Sequence, residues 1–321
     1  MATQQSVLAL DIGGTKLAVA VMTADGRTHG FLSEPTDKHR GPDAVIAHLF
    51  DMGHRSIAAA GLGAPASVGI SCGGPLDAPA GILTHPLHLP GWIGIPIVAM
   101  AAEEFGVQAV VENDATAAVL AEHRYGAARG ADIALYLTLS TGVGGGSIID
   151  GRLHRGAAGN GGEFGHLTVR PGGRDCLCGR KGCLEAYASG TSIAARAADL
   201  LASDDRASTL RELDVVRAEN VAAAALAGDA IATELWHETT DVLGQAVTDL
   251  VNIFEPNIVV LGGGVTRSGS QLLDPVRSIV QNTAMPPAAA RAAVTLAGLG
   301  DEVCVVGAGA LALDLLEESL V

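Results

Sequence analysis

Three of the chain's five cysteines, Cys176, Cys178 and Cys183, fall in one stretch, GGRDCLCGRKGCLEA at residues 172–186. The spacing is C-x-C followed by C-x4-C, and Gly179 and Gly182 let the loop curl tightly. Thiolates so placed suit a metal; a disulfide and a chance cluster are the alternatives. Zinc takes thiolate and imidazole ligands in fours, so a fourth ligand must come from outside the cluster. Cys72 and Cys304 each stand alone in an apolar run and read as packing residues.

A second group of residues suits phosphate. Three glycine-rich turns are present: Asp11 to Thr15 (with Gly13 and Gly14), followed by Lys16; Thr141 to Gly146 (with Gly142 and Gly144); and Gly262, Gly263 and Gly264. Glycine lets backbone N–H groups approach an anion, and Thr15 and Thr141 add hydroxyl donors. Asp11 would repel phosphate directly and would act through Mg²⁺ or its water shell. Each turn taken singly is also an ordinary tight hairpin turn; the signal lies in their combination. No G-x-x-x-x-G-K-[ST] occurs. Gly307, Gly309 and Ala312 mimic a dinucleotide fingerprint, but too few residues follow for a βαβ unit, so they read as close strand–helix packing. In VVENDATAAVLAEH, Asn113-Asp114 falls where a strand gives way to a helix. Asp114 there is either a helix cap or a reactive carboxylate.

These residues need elements to hold them. Strands are expected at 7–10, 17–22, after the Ala24-Asp25-Gly26 turn, at 67–72, 107–111, 131–139 and 257–261, and a strand SII after the loop STGVGGG. Helical spacing covers 42–52 and 96–105, Ala-rich helices run from about 191 to 254, and the tail EVCVVGAGALALDLLEE reads as a strand and then a helix. The second half repeats the opening: apolar strand, Gly-rich turn with Thr, second strand, Asp-Gly turn at Asp150-Gly151. Alternating strands and helices give an α/β fold, and two similar halves give two facing domains with a cleft.

Composition narrows the function. With 48% hydrophobic and 17% charged residues the chain can bury enough surface to fold, and 321 residues accommodate two domains. A net charge of −15, no Lys/Arg cluster, and lysine only at 16, 38 and 181 argue against nucleic acid. No stretch of 18 apolar residues occurs and no targeting segment is visible, so no membrane partner and a cytoplasmic location are expected. In that compartment a disulfide is the weaker reading of the cysteines.

DIGGTK, GISCGGPLD, LPGW, VENDA, LSTGVGGG, GGEFGH, C-x-C-G-x-x-G-C-L-E and LGGGV occur in that order. The chain resembles the ROK family of sugar kinases and repressors, from about residue 6 onward. The resemblance implies a two-domain actin-like (ribonuclease H-like) sugar kinase fold with a central cleft. The domains would be 1–114 plus about 305–321, and 115–304. It implies ATP and Mg²⁺, a hexose acceptor, and a homodimer or homotetramer. It makes His166 the fourth ligand of a structural Zn²⁺ and assigns Glu163, Glu185 and the His166 ring to the sugar. It makes Asp114 the base that takes the sugar hydroxyl's proton, with Asn113 holding neighbouring hydroxyls and Gly74 and Pro75 lining the pocket. The glycine turns with Asp11, Lys16 and Thr141 would serve the nucleotide. Relatives often carry Asn where this chain has His88, and Trp92 reads as a packing anchor.

The leading expectation is therefore an ATP-dependent kinase acting on the 6-hydroxyl of a hexose, glucose first. N-acetylmannosamine, N-acetylglucosamine, allose, mannose and fructose are alternative acceptors. Polyphosphate as donor would favour a basic groove, of which three lysines give little sign. A silent sugar sensor from the repressor branch would be expected to have lost the base or a phosphate turn, and Asp11, Thr15, Asp114 and Thr141 are all present. With ten residues before Asp11, a DNA-binding domain ahead of the kinase-like part is not expected.

Overall fold

The computed structural model describes residues 5–318. Within them the chain forms two compact units. One comprises the chain up to Arg129, Leu153–Gly162 and the segment from Asp301 on; the other comprises Gly130–Arg152 and Glu163–Gly300.

In the first unit five strands lie in the order Thr28–Pro35, Lys16–Thr23, Ser6–Ile12, Val68–Cys72, Ala109–Asn113. Ser6–Ile12 and Lys16–Thr23 form an antiparallel hairpin, from Ser6↔Thr23 to Ile12↔Leu17. The last three strands in that order are parallel. All seven residues of the central strand, SVLALDI, are buried, as expected of a strand covered on both faces. Its two faces differ in size. Leu8, Leu10 and Ile12 pack in a core with Val45, Ile46 and Leu49 of the helix Pro42–Ala60. Ala9, with Ala18 and Ala20 of the neighbouring strand, meets Val305 and Ala308 of the helix Val303–Glu318. Small residues on that face let the helix lie close to the backbone. A Cβ on Gly69 would lie 1.8 Å from the Ala308 carbonyl oxygen.

The second sheet, which lies in the second unit apart from Leu153, repeats this order: Arg152–Leu153, Val143–Ile149, Ala134–Leu139, Ile258–Gly262, Ala293–Leu296. Again the first strand in sequence forms an antiparallel hairpin with the second and pairs in parallel with the strand on its other side. The duplication read from the sequence is therefore a duplication of topology. The core is built around the helix Ala230–Phe254, whose Leu235, Leu243, Val247 and Leu250 are buried. The Ala-rich stretch is three helices, Gly190–Ser203, Ala218–Leu226 and Ala230–Phe254. Among the described residues no helix is long and apolar enough to cross a membrane.

Two expectations are corrected. The tail contains no strand: Val303–Glu318 is helical throughout. The β-branched run at its start resembles a strand locally, but small residues at 307–310 favour a helix pressed against its neighbours. A Cβ on Gly307 would lie 2.2 Å from the Ala117 carbonyl oxygen of the helix Asp114–Tyr125, which belongs to the first unit. In STGVGGG, the three glycines after Val143 lie inside a strand, with Gly144 opposite Thr138 and Gly145 opposite Leu137. The turn itself is only Ser140–Gly142, closed by Ser140 N–H donating to the Gly142 carbonyl at 2.9 Å.

Gly69→Ala is expected to destabilise the chain by about 3 kcal/mol or more, the upper end of overpacking costs. Denaturant unfolding checks this; an unchanged midpoint would contradict the close approach of Gly69 to Ala308.

Candidate active site

In the first unit the parallel register aligns the ends of three strands. Asp11 lies opposite Ser71, Ser71 opposite Glu112, and Cys72 opposite Asn113. Ligands in such sheets bind beyond the carboxyl ends of the strands, and this is where the candidate residues gather. Ser71 Oγ donates to Asp11 Oδ1 at 2.7 Å, with both residues buried. Burial pushes the Asp11 carboxyl up to about 7; the Ser71 hydrogen bond and Lys16 oppose the rise, and the nearby charge of Asp114 adds to it.

Asn113, not Asp114, caps the helix Asp114–Tyr125. Its Oδ1 accepts from Ala115 N at 3.0 Å and Thr116 N at 3.2 Å. That leaves the Asn113 NH₂ as a donor. Asp114 Oδ1 accepts from Ala115 N at 2.8 Å. Its Oδ2 lies 3.8 Å from where a Cβ on Gly73 would stand, facing the Gly73-Gly74-Pro75 turn, whose Gly74–Pro75 peptide is cis. Burial raises the Asp114 pKa, against the hydrogen bond from Ala115 and the His88 charge. A carboxylate raised in this way is a stronger proton acceptor than an exposed one.

The first glycine turn is confirmed as compact. Gly13 N–H donates to the Lys16 carbonyl at 3.0 Å. A Cβ on Gly14 would lie 2.8 Å from His88 Cβ, so Gly14 is required by close approach. His88 thus stands beside this turn and within electrostatic reach of Asp114. Thr15 and Lys16 are exposed. Trp92 is wholly buried in the core of this unit, as a packing residue should be.

The second unit gathers the remaining candidates. Ligand atoms of His166, Cys176, Cys178 and Cys183 all lie within 4.8 Å of one another. Cys178 Sγ and Cys183 Sγ are 3.7 Å apart, and Cys176 Sγ is 3.6 Å from His166 Nδ1. A tetrahedron with metal–sulfur bonds of about 2.3 Å has edges of about 3.8 Å, so these spacings fit one ion. Burial, above all, pushes the Cys176 thiol up to about 12. A divalent cation would reverse that direction and hold the thiolates ionised. With Nδ1 turned to the cysteines, His166 Nε2 faces Glu163 Oε2 at 3.8 Å.

Glu185 stands on the other side of the cluster. Its Oε1 is 3.7 Å from Cys176 Sγ, and its Oε2 accepts from Val143 N at 2.9 Å. Gly165 packs on the same residue: a Cβ there would lie 1.9 Å from the Val143 carbonyl oxygen. The three late glycines divide in role. A Cβ on Gly262 would lie 2.0 Å from the Tyr136 hydroxyl, and one on Gly263, at φ 87°, would lie 2.4 Å from the Leu139 carbonyl oxygen. Both are thus required by packing. Gly264 faces open space and begins a 3-10 turn, Gly264–Ser268. It borders an open pocket of about 720 Å³ that is also lined by Ser140, Thr141, Val216, Ala222 and Leu226. That volume lies within the range of small-molecule sites. Gly144, inside a strand, does not line this pocket.

Sequence reasoning missed Ser71 and also Arg155, whose Nε donates to Glu112 Oε2 at 2.6 Å; both act through cross-strand or long-range contacts that no local motif announces. His88 was visible only as an unusual residue.

Each unit carries a hairpin with a glycine turn, followed by parallel strands, and these make the two-domain actin-like fold of the sugar kinases. The ROK family model matches residues 7–315, and the chain belongs to that family. It is 34% identical over 306 residues to a glucokinase of Halalkalibacterium halodurans, covering 94% of this chain and 92% of that one. It is 35% identical over 307 residues to an N-acetylmannosamine kinase of Citrobacter koseri, covering 96% and 98%. The structure of a ROK glucokinase from Streptomyces griseus in complex with glucose and AMPPNP superposes with a TM-score of 0.82 at 32% identity, covering 96% of this chain and 99% of that one.

Asp11 holds its proton on folding between its ordinary 3.8 and about 7. The folded chain then binds more protons than the unfolded one, so this group lowers stability as pH rises through that window. In chelator-treated protein, Asp11→Asn is expected to be increasingly stable relative to the native chain as pH rises from about 4 to about 8. Denaturant melts across that range check it; parallel profiles for the two proteins would refute it.

Proposed function

We propose that this chain transfers the γ-phosphoryl group of ATP to the 6-hydroxyl of a hexose, glucose first. The observation that carries the reading is Asp114. It is a carboxylate of raised pKa, released from capping by Asn113, at the start of the helix that follows the strand Ala109–Asn113 and within electrostatic reach of Asp11. Relatives named as glucokinases, matched along more than nine-tenths of their length, support glucose as the acceptor.

Phosphoryl transfer asks the protein mainly for positioning and charge stabilisation. Asp114 orients the attacking hydroxyl and takes its proton as the bond to phosphorus forms. The Asn113 NH₂ donates to a neighbouring sugar oxygen. Glu163 and Glu185 accept from sugar hydroxyls, and His166 contributes its Nε2 side. Gly74 and Pro75 border the sugar. Gly13, Gly14, Thr15 and Lys16, with Thr141, Gly142 and Gly264, present donors to the phosphates, and the pocket beside Gly264 takes the nucleoside. Asp11, held by Ser71, would hold Mg²⁺ through its water shell; the ion supplies charge neutralisation on the phosphates. Cys176, Cys178, Cys183 and His166 would hold a structural Zn²⁺, which would fix the segment carrying Glu163 and Glu185. The resemblance also carries a homodimer or homotetramer, which light scattering tests.

N-acetylmannosamine is the second reading, favoured by the Citrobacter koseri relative at 35% identity. A coupled ADP-release assay with Mg·ATP and a hexose panel separates the two. Asp114→Asn is expected to lower kcat with the preferred sugar by about 10²–10⁴-fold. Near-normal turnover would end the assignment of the base. Protein purified without chelator should carry about one zinc per chain, and Cys178→Ser should lose the metal together with sugar affinity. Metal analysis and calorimetric sugar titration read this; full sugar affinity in zinc-free protein would refute the role of the ion.

A further inference from the structure

Glu112 lies next to the proposed base, yet its side chain is only 1% exposed. Its Oε1 accepts from Asn113 N at 3.0 Å, and its Oε2 accepts from Arg155 Nε at 2.6 Å. A carboxylate so buried needs donors to offset its lost hydration, and Arg155 is the cation that supplies one. Arg155 is itself 46% exposed and comes from a loop.

That loop, Leu153–Gly162, is unusual in two ways. It packs as part of the first unit, although the residues on either side of it belong to the second. Four of its ten residues are glycine, and Gly156, Gly159 and Gly162 have φ of 71°, 77° and 95°. Such a segment has much conformational entropy to lose when it is ordered. Leu153 packs against Ala117 and Leu120 at one end of it, and its side-chain hydrogen bonds to the rest of the unit include the Arg155–Glu112 pair and Asn160 Oδ1 accepting from Leu76 N at a long 3.4 Å. Within the loop, Gly161 N–H donates to the Arg155 carbonyl at 2.8 Å, so fixing Arg155 also fixes the turn behind it. The next residue along the chain is Glu163.

We infer that the Glu112–Arg155 ion pair is a latch that orders the loop Leu153–Gly162 and so sets sugar affinity. Glu112 and Arg155 are positioning residues: Glu112 abuts Asn113 and Asp114 in sequence, and Arg155 anchors the loop that delivers Glu163. An ion pair with one partner buried and the other half-exposed adds little net stability, so its main effect here is on geometry. With the latch closed, the ordering entropy of the loop is lost at folding; with it open, the sugar must order the loop on binding. The inference rests on the reading that Glu163 binds the sugar.

The test uses Arg155→Gln, Glu112→Gln, the double variant, Arg155→Lys and, separately, Glu163→Gln, with glucose and Mg·ATP. Arg155→Gln is expected to raise the sugar KM about tenfold, the scale of one charge-assisted hydrogen bond, while the ATP KM stays within about twofold. Amide exchange in 153–162 should quicken. The double variant should match the single ones, because both remove one interaction. Arg155→Lys should recover part of the sugar affinity by keeping the charge. Should Glu112→Gln fail to fold, the half-exposed Arg155 still carries the test. An unchanged sugar KM and unchanged loop exchange in Arg155→Gln, with Glu163→Gln impaired, overturns the latch and leaves the sugar reading standing. An unimpaired Glu163→Gln overturns the sugar reading of Glu163, and the inference with it.

Discussion

Two carboxylates of the first unit sit where ionisation is costly: Asp11 is buried in the central strand, Asp114 opens the helix that follows a parallel strand of the same sheet, and the charge of Asp114 adds to the rise at Asp11. The fold of the first unit is arranged to bear that cost. Ser71 holds Asp11 from the strand between the two. Asn113 takes over the capping that Asp114 would otherwise perform. His88 brings a titratable ring toward Asp114 from the loop that packs on Gly14. The all-buried strand SVLALDI, with large residues on one face and small ones on the other, gives this arrangement a rigid base between two helices.

The same topology is used twice with different chemistry. The hairpin of the first unit carries Asp11 just before its turn; the corresponding place in the second, just before Ser140, is held by Thr138 and Leu139. An acid stands in one copy and a hydroxyl or apolar residue in the other. The two copies share their backbone topology and differ in the residue at this strand end.

Much of this was legible in the sequence for physical reasons. Apolar strands, Asp-Gly turns and glycine clusters are local signals, and they located the hairpins and the turns around Asp11 and Thr141. The cysteine spacing named three members of a cluster, and the resemblance added His166; the structure brings all four together. Local signals also misled. EVCVV has β-branched residues suited to a strand, but its surroundings make it a helix, because Gly307 and Gly309 must fit against Ala117 and Met22. GVGGG looked like a loop, yet pairing with Leu137 and Thr138 makes it a strand. Ser71 and Arg155 act through partners 60 and 43 residues away, and a single sequence carries no record of such pairings.

Val143 has a side effect of its own. Its N–H is held by Glu185 and its carbonyl is pressed by Gly165, so the thiol cluster's two flanking segments grip one residue of backbone. That residue follows directly on the Ser140–Gly142 turn. Oxidants that convert clustered thiols to disulfides or sulfenic acids would therefore loosen more than the loop they modify. Damage at Cys176 would travel through Glu185 to Val143 and unsettle the Ser140–Gly142 turn as well. Redox injury to this chain would thus be felt in two segments of the second unit at once, from a single chemical event.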